Sequence, residues 1–501
     1  MSEAFSQLNE QFAAISRLSQ AAALLGWDQQ TQMPSGAASA RGEQMAALQQ
    51  VIHEKSTSEE IGELLMECEE EFANEDPDSA DVRILRTARR NYDRSVKLPI
   101  SLVVELARHG AVSHEAWVHS REDNDFQSFA PYLEKMFDLT RRKAECLGYI
   151  SHIYDPLLDE YEPGMTHAET SAIFTEIKSD LVELAHSIAN STMKMDTSCI
   201  HGIFPVSVQQ DLTLKTAQAI GFDTTRGRQD AATHPFCTSF SRDDVRITTR
   251  FDADFLAMAL YATLHEAGHA LYEQGSPPEF EETPLAGGIS LGIHESQSRF
   301  WENIIGRSRS FARWIFPQLQ QYFPASFSGR VSEEFYRAVN QVQPSTIRVE
   351  ADEVTYNLHI LLRFELECAL LEGSLKVRDL PEAWNQKMQD YLGISPPNDS
   401  QGCLQDIHWA EGLIGYFPTY SIGNLLSGQI RQAMLIDLPG MEDMIEKGDF
   451  SPLLEWLRKH IHCYAGKYLP GELIPLATGS PLSSKPYMNY LREKYTELYQ
   501  L

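Results

Sequence analysis

Positive charge is the first thing this sequence is short of. Across 501 residues it has 42 Lys and Arg against 71 Asp and Glu, a formal charge of −29. Such a surface repels polyanions over most of its area, which sets aside nucleic acid and anionic membrane as partners. Long apolar runs are missing too, and none approaches the roughly 18 residues of a membrane span. The opening Met1-Ser2-Glu3-Ala4-Phe5 carries an acid where a secretory leader carries basic residues, and no apolar leader core follows. A cytoplasmic location is the expectation. Seven cysteines, at 68, 146, 199, 237, 368, 403 and 463, are odd in number and scattered, with no C-x-x-C pair. That argues against a disulfide framework or a thiolate zinc knuckle and leaves reduced, packed thiols.

Strict strand alternation is also scarce. Phe5, Leu8, Phe12, Ile15 and Leu18 recur at helical spacing, and similar stripes run through most of the chain. Helices are predicted at Ala40 to Glu54, Ser58 to Phe72, Ala80 to Tyr92, Ser101 to Ser120 and Pro131 to Leu147. No stretch is long enough for an interdomain linker, and no solenoid repeat is visible. The expectation is a mainly α protein: residues 1–501 as one large helical domain, with two lobes around a groove. One segment breaks the pattern. Cys237 to Phe251 mixes β-branched and aromatic residues around a Ser-Arg-Asp-Asp turn, which predicts a short hairpin leading into the next helix. Asp252 or Asp254 is the expected N-cap of that helix. The hairpin is also expected to bring Arg246 and the His234-Pro235-Phe236 segment toward it.

That helix carries His265-Glu266-Ala267-Gly268-His269. Two histidines four residues apart project from one helical face and can grip one metal ion, with Glu266 placed to act on a metal-bound water. In a chain with sixteen histidines the bare pattern arises by composition with a chance on the order of a few per cent, so its context has to carry weight. The match lies mid-helix in an apolar run, with small residues between the histidines. Two buried imidazoles and a carboxylate without a metal would be costly.

A third histidine ligand of the H-E-x-x-H-x-x-G-x-x-H kind is excluded, because Tyr272 and Gly275 stand at the required places. A carboxylate from the next helix, about Ser290 to Ile305, is wanted instead. Glu295 is the choice and His294 the alternative; Glu279, Glu281 and Glu282 read as a solvated rim. Two imidazoles and one carboxylate suit Zn2+ best, with cobalt or manganese able to use the same ligands.

Six motifs stand in order: HPF at 234–236, DVRIT at 244–248, HEAGH at 265–269, HESQ at 294–297, IRVEAD at 347–352 and GCLQDIHW at 402–409. Together they resemble the carboxypeptidase Taq family of zinc metallocarboxypeptidases; Trp27-Asp28 and Met33-Pro34 are similar to it as well. The resemblance implies His265, His269 and Glu295 as metal ligands and Glu266 as catalytic. It also implies a groove-bearing helical fold similar to neurolysin and angiotensin-converting enzyme, and a homodimer. The expected activity is removal of C-terminal residues from peptides with a free C-terminus.

Oxyanion donors are expected in His408 and Tyr420, whose spacing is similar to that in related helical peptidases. In a chain so acidic, binding the substrate carboxylate needs a fixed local cation. Arg348 is the leading choice, supported by the resemblance; the alternative is an ion pair with Asp352 at helical spacing. Arg246 and His234 are further substrate-binding expectations, although Asp244 could simply pair with Arg246. Two other functions stay open: an endo- or dipeptidyl-peptidase on the same scaffold, and a non-catalytic helical scaffold with an incidental metal.

Overall fold

The structure, a computed structural model, describes residues 2–501. Helices dominate, and among the described residues the one sheet has three strands. The helices expected from periodicity are present with shifted ends, at Ala38–Ser56, Glu59–Glu71, Ala80–Lys97, Ile100–Glu122 and Phe126–Leu147. Local chemistry sets several starts. Ser58 accepts from the Ile61 N–H, and Thr166 with Glu169 forms a reciprocal capping box on helix His167–Ala189. No described helix is long and apolar enough to cross a membrane.

The chain divides into two compact units. The first comprises Met1–Val96, Asp196–Val339 and Ile430–Pro481; the second comprises Lys97–Met195, Asn340–Gln429 and Leu482–Leu501. Each is assembled from three separate stretches, so neither corresponds to a continuous piece of sequence.

In the first unit the expected hairpin is formed by β2 (Cys237–Ser241) and β3 (Asp244–Thr249), antiparallel with an irregularity between Ser239 and Ser241. A strand that the sequence did not announce, β1 (Gly227–Ala231), joins in parallel from Gly227 opposite Val245 to Ala231 opposite Thr249. The sheet lies against helix Leu256–Gln274, the HEAGH helix. Thr249 Oγ1 and Thr263 Oγ1 are 2.9 Å apart, and the Gln229 amide donates to both at 3.1 and 3.0 Å.

The start of the HEAGH helix corrects an expectation. Its N-cap is Phe255, with no side-chain hydrogen bond, while Asp252 turns back to accept from the Asp254 N–H at 2.8 Å. Main-chain pairing replaces the cap: Leu256 N–H donates to Ile200 O at 3.1 Å, and the Phe255 and His201 rings stack at 4.6 Å. Leu256, Leu260, Leu264 and Leu271 are fully buried and anchor the helix. At Gly268 a Cβ would lie 2.6 Å from both Gln297 O and Ser298 Cα. Glycine here lets the next helix press its backbone against the first, one turn beyond Glu295. That second helix is Leu291–Arg299, capped by Ser290, and it runs on as a π-helical turn, Phe300–Ile305. Sequence periodicity predicts a single amphipathic helix over this range, and the π-helical turn departs from it.

The second unit is organised by helix Tyr356–Glu372, which is buried on nearly every side. Asn357, Arg363 and Glu367 lie on it with no exposure, and each must therefore find partners inside the protein. Arg363 donates to Gln405 and Asp406, Glu367 accepts from Trp409 and Gly415, and Asn357 accepts from Ser421 and Asn424. A loop-rich stretch from 405 to 424 is thereby held by one helix.

Candidate active site

Three acceptor atoms converge in the first unit. Glu295 Oε2 is 3.5 Å from His265 Nε2 and 3.5 Å from His269 Nε2, and the ligand-capable atoms all lie within 4.8 Å of one another. The outer nitrogens are already engaged. His265 Nδ1 is 2.8 Å from Glu302 Oε2, and His269 Nδ1 is 2.6 Å from His294 Nδ1, whose Nε2 is 2.7 Å from Glu273 Oε1. With Nδ1–H donated to Glu302, the His265 Nε2 lone pair faces inward. The Arg299 Nε donates to Glu295 Oε1 at 2.6 Å, which leaves Oε2 to point at the two imidazoles. Three lone pairs facing one another repel unless a cation sits among them, so the donor set fits a divalent metal. Charge points the same way. Burial opposes protonation of His265, yet the surrounding Glu295, Glu302 and Glu266 hold it up to about 9.

Glu266 stands beside this centre at 6% exposure. Burial pushes its carboxyl up to about 7, with Glu295 and Glu302 adding to the effect and His265 opposing it. A carboxylate poised near neutrality is suited to taking and returning a proton. The hairpin is close by: the Cys237 thiol of β2 is held far above its usual range, first by burial and then by Glu266 and Glu273. His294, the alternative ligand in the sequence reading, turns its Nδ1 to His269 and its Nε2 to Glu273.

Arg246 lies on β3, and His234 precedes β2. Arg246 makes a two-pronged pair with Asp244 at 2.8 and 2.8 Å, and its guanidinium is 4.4 Å from the Trp27 ring and 4.9 Å from Phe240. The pairing foreseen as the simpler role of Arg246 is thus the one formed. His234 is exposed in the loop between β1 and β2.

In the second unit Arg348 is 5% exposed and paired, but not with Asp352. Its Nε and Nη2 donate to Asp406 Oδ1 at 3.1 and 2.8 Å, and Nη1 donates to the Tyr356 hydroxyl at 2.9 Å. Residues Arg348–Glu350 form a single 3-10 turn rather than an α-helix, so i,i+4 spacing does not bring Asp352 to it. Asp352 instead accepts from the Gln343, Val354 and Thr355 N–H groups. Arg363, on the central helix, donates to Asp406 Oδ2 at 2.8 Å. Burial pushes the Asp406 carboxyl up, but the two guanidiniums outweigh it and hold the group far below the usual carboxylate range. Two guanidiniums against one carboxylate leave one net positive charge in this cluster.

His408 and Tyr420 meet, with Nε2 to hydroxyl at 3.4 Å. Burial lowers His408 to about 4, so its imidazole is neutral at physiological pH and can serve as a donor. The segment that carries His408 is held by Glu367. Its carboxylate accepts from Tyr154 at 2.6 Å, from Trp409 Nε1 at 2.7 Å and from the Gly415 N–H at 3.2 Å.

Glu367 carries a pH prediction. Burial outweighs its three donors and raises it from 4.5 to about 7. A raised carboxyl contributes stability that is complete below its unfolded pKa and is lost as pH rises through about 7. The stability of wild type relative to Glu367→Gln, read from urea midpoints, is therefore expected to fall between pH 4.5 and 8. A difference independent of pH would contradict this.

Glu273, Arg299, Glu302, Arg363 and Glu367 join the site without having been expected from the sequence. For the first three a signal existed: Glu273 is one helical turn beyond His269, and Arg299 and Glu302 continue the face of Glu295 into an otherwise apolar stretch.

A helix presenting two histidines and a carboxylate, joined by a glutamate from the next helix, defines a metallopeptidase centre. The chain matches the family described as carboxypeptidase Taq (M32) metallopeptidase over residues 7–495. It is 43% identical over 486 residues to thermostable carboxypeptidase 1 of Thermus thermophilus, covering 95% of each chain. With carboxypeptidase 1 of Bacillus subtilis it shares 39% over 487 residues, 97% of each. The crystal structure of the M32 carboxypeptidase from Deinococcus radiodurans superposes with a TM-score of 0.96 at 41% identity, covering 100% of both chains. The chain belongs to the carboxypeptidase Taq (M32) family and is a metallocarboxypeptidase.

Proposed function

We propose that this protein is a zinc-dependent carboxypeptidase that removes single residues from peptides with a free C-terminus. The observation that carries the reading is the convergence of three lone pairs from His265, His269 and Glu295, with Glu266 buried beside them. When bound, the ion supplies Lewis acidity, polarising the scissile carbonyl and making a coordinated water acidic near neutrality. The Glu266 carboxylate takes the proton of the attacking water and returns it to the leaving amine nitrogen. His408 and Tyr420 donate to the carbonyl oxygen as it gains charge. Arg348 receives the terminal carboxylate, supported by the net positive charge that the Arg348, Asp406 and Arg363 cluster retains in a chain of formal charge −29. Arg246, on β3 of the hairpin that leads into the HEAGH helix, and His234 before it are further proposed substrate contacts.

On this reading residues 1–501 act as one catalytic domain in the cytoplasm, and the family resemblance supports a homodimer. Dialysis against a chelator is expected to abolish hydrolysis and lower the Tm. Zn2+ at a thousand times its Kd is expected to restore about 4 kcal/mol of stability. Cobalt or manganese restoring more activity than zinc would move the native metal away from zinc. Full activity and an unchanged Tm in metal-free protein would refute the proposal.

A further inference from the structure

The two histidines of HEAGH are backed in different ways. His265 hands its Nδ1 proton directly to a carboxylate, Glu302, at 2.8 Å. His269 reaches its carboxylate only through a second imidazole: His269 Nδ1 to His294 Nδ1 is 2.6 Å, and His294 Nε2 to Glu273 Oε1 is 2.7 Å. An ionised carboxylate has no proton to give, so the outer link runs from His294 Nε2–H to Glu273. In a neutral His294 the Nδ1 is then an acceptor. The inner link must therefore come from His269 Nδ1–H, and that tautomer leaves Nε2 of His269 with its lone pair directed at Glu295 Oε2, 3.5 Å away.

The surroundings hold this order in place. Gly288 closes over the ring, and a Cβ there would stand 2.9 Å from His294 Cδ2 and 2.7 Å from Tyr272 Cε1. The Tyr272 ring packs on His294 at 5.1 Å.

We propose that His294 is a positioning residue: backed by Glu273, it locks His269 in the tautomer and ring orientation that present Nε2 to the metal. It binds His269 and not the ion. The inference rests on the ligand set proposed above. A ligand histidine that loses such a backing group typically loses 10- to 100-fold in metal affinity.

The test is Zn2+ affinity by chelator competition, together with the absorption spectrum of the Co2+-loaded protein, for wild type, His294→Ala, His294→Asn and Glu273→Gln. His294→Ala is expected to bind Zn2+ about 10- to 100-fold more weakly. Its Co2+ bands should keep their positions, since the three ligands remain. Glu273→Gln, whose amide oxygen still accepts from His294, is expected to fall between the two. If His294→Ala does not fold, His294→Asn carries the same expectation. An unchanged affinity in the folded variants, or a Co2+ spectrum showing a lost ligand, would overturn the inference. His265→Ala serves as the control. If it kept wild-type affinity the ligand set itself would fail, whereas loss of metal in His265→Ala with no change in His294→Ala would overturn only the role of His294.

Discussion

Glu266→Gln is expected to lower kcat by about 10²- to 10⁴-fold, the range in which a positioned acid–base group contributes to a proton-transfer step. The amide is nearly isosteric with the carboxylate but can neither accept a proton from water nor return one to an amine. Metal content should be unchanged, because Glu266 is not among the three converging atoms. The fold should be retained or strengthened: burial already penalises the Glu266 charge, and the amide removes that charge. Stopped assays combined with metal analysis distinguish the outcomes. A folded, metal-loaded Glu266→Gln with wild-type turnover would remove the proton-transfer role, and loss of metal would make Glu266 part of the binding set.

Arg348→Ala is expected to reduce kcat/KM on free-acid peptides by about 2 to 5 kcal/mol, the cost of truncating one partner of a buried charge pair. The same substitution leaves Asp406 to Arg363 alone. That pair remains bonded at 2.8 Å, so the carboxylate is not stranded and the fold is expected to survive. The discriminating comparison uses a C-terminally amidated peptide. If Arg348 receives the carboxylate, wild type discriminates strongly between acid and amide, and Arg348→Ala loses most of that discrimination. Equal loss on both peptides would assign Arg348 to the architecture of the 405–424 stretch. Cleavage of both peptides alike by wild type would favour the endopeptidase reading.

What the sequence disclosed follows the range of the interactions involved. The convergence of His265, His269 and Glu295 was legible because placing two side chains on one helical face is a matter of 3.6-residue spacing, and the return to Glu295 needs only a helix, a loop and a helix. The β2–β3 hairpin was legible for the same reason, its turn being local. By contrast, β1 has the sequence Gly227-Arg228-Gln229-Asp230-Ala231, with neither alternation nor β-branched residues. It becomes a strand only because β3 offers it a parallel edge.

The partner of Arg348 illustrates the longer range. Asp352 was four residues away and fitted a helical rule, but the segment turned out to be a 3-10 turn. The true partner, Asp406, is 58 residues on and is brought in by the polar side chains of helix Tyr356–Glu372. No periodicity encodes that contact. The π-helical turn at Phe300–Ile305 was hidden in a run that looks α-helical throughout, although its Glu302 is the residue that orients His265.

The most direct measurement is mass spectrometry of the products released from an unblocked peptide by protein of known zinc content. The account predicts a ladder shortened one residue at a time from the C-terminus. It also predicts that the ladder disappears on chelation and with the amidated peptide, and returns when Zn2+ is added. Internal fragments, dipeptide steps or a ladder indifferent to chelation would contradict it.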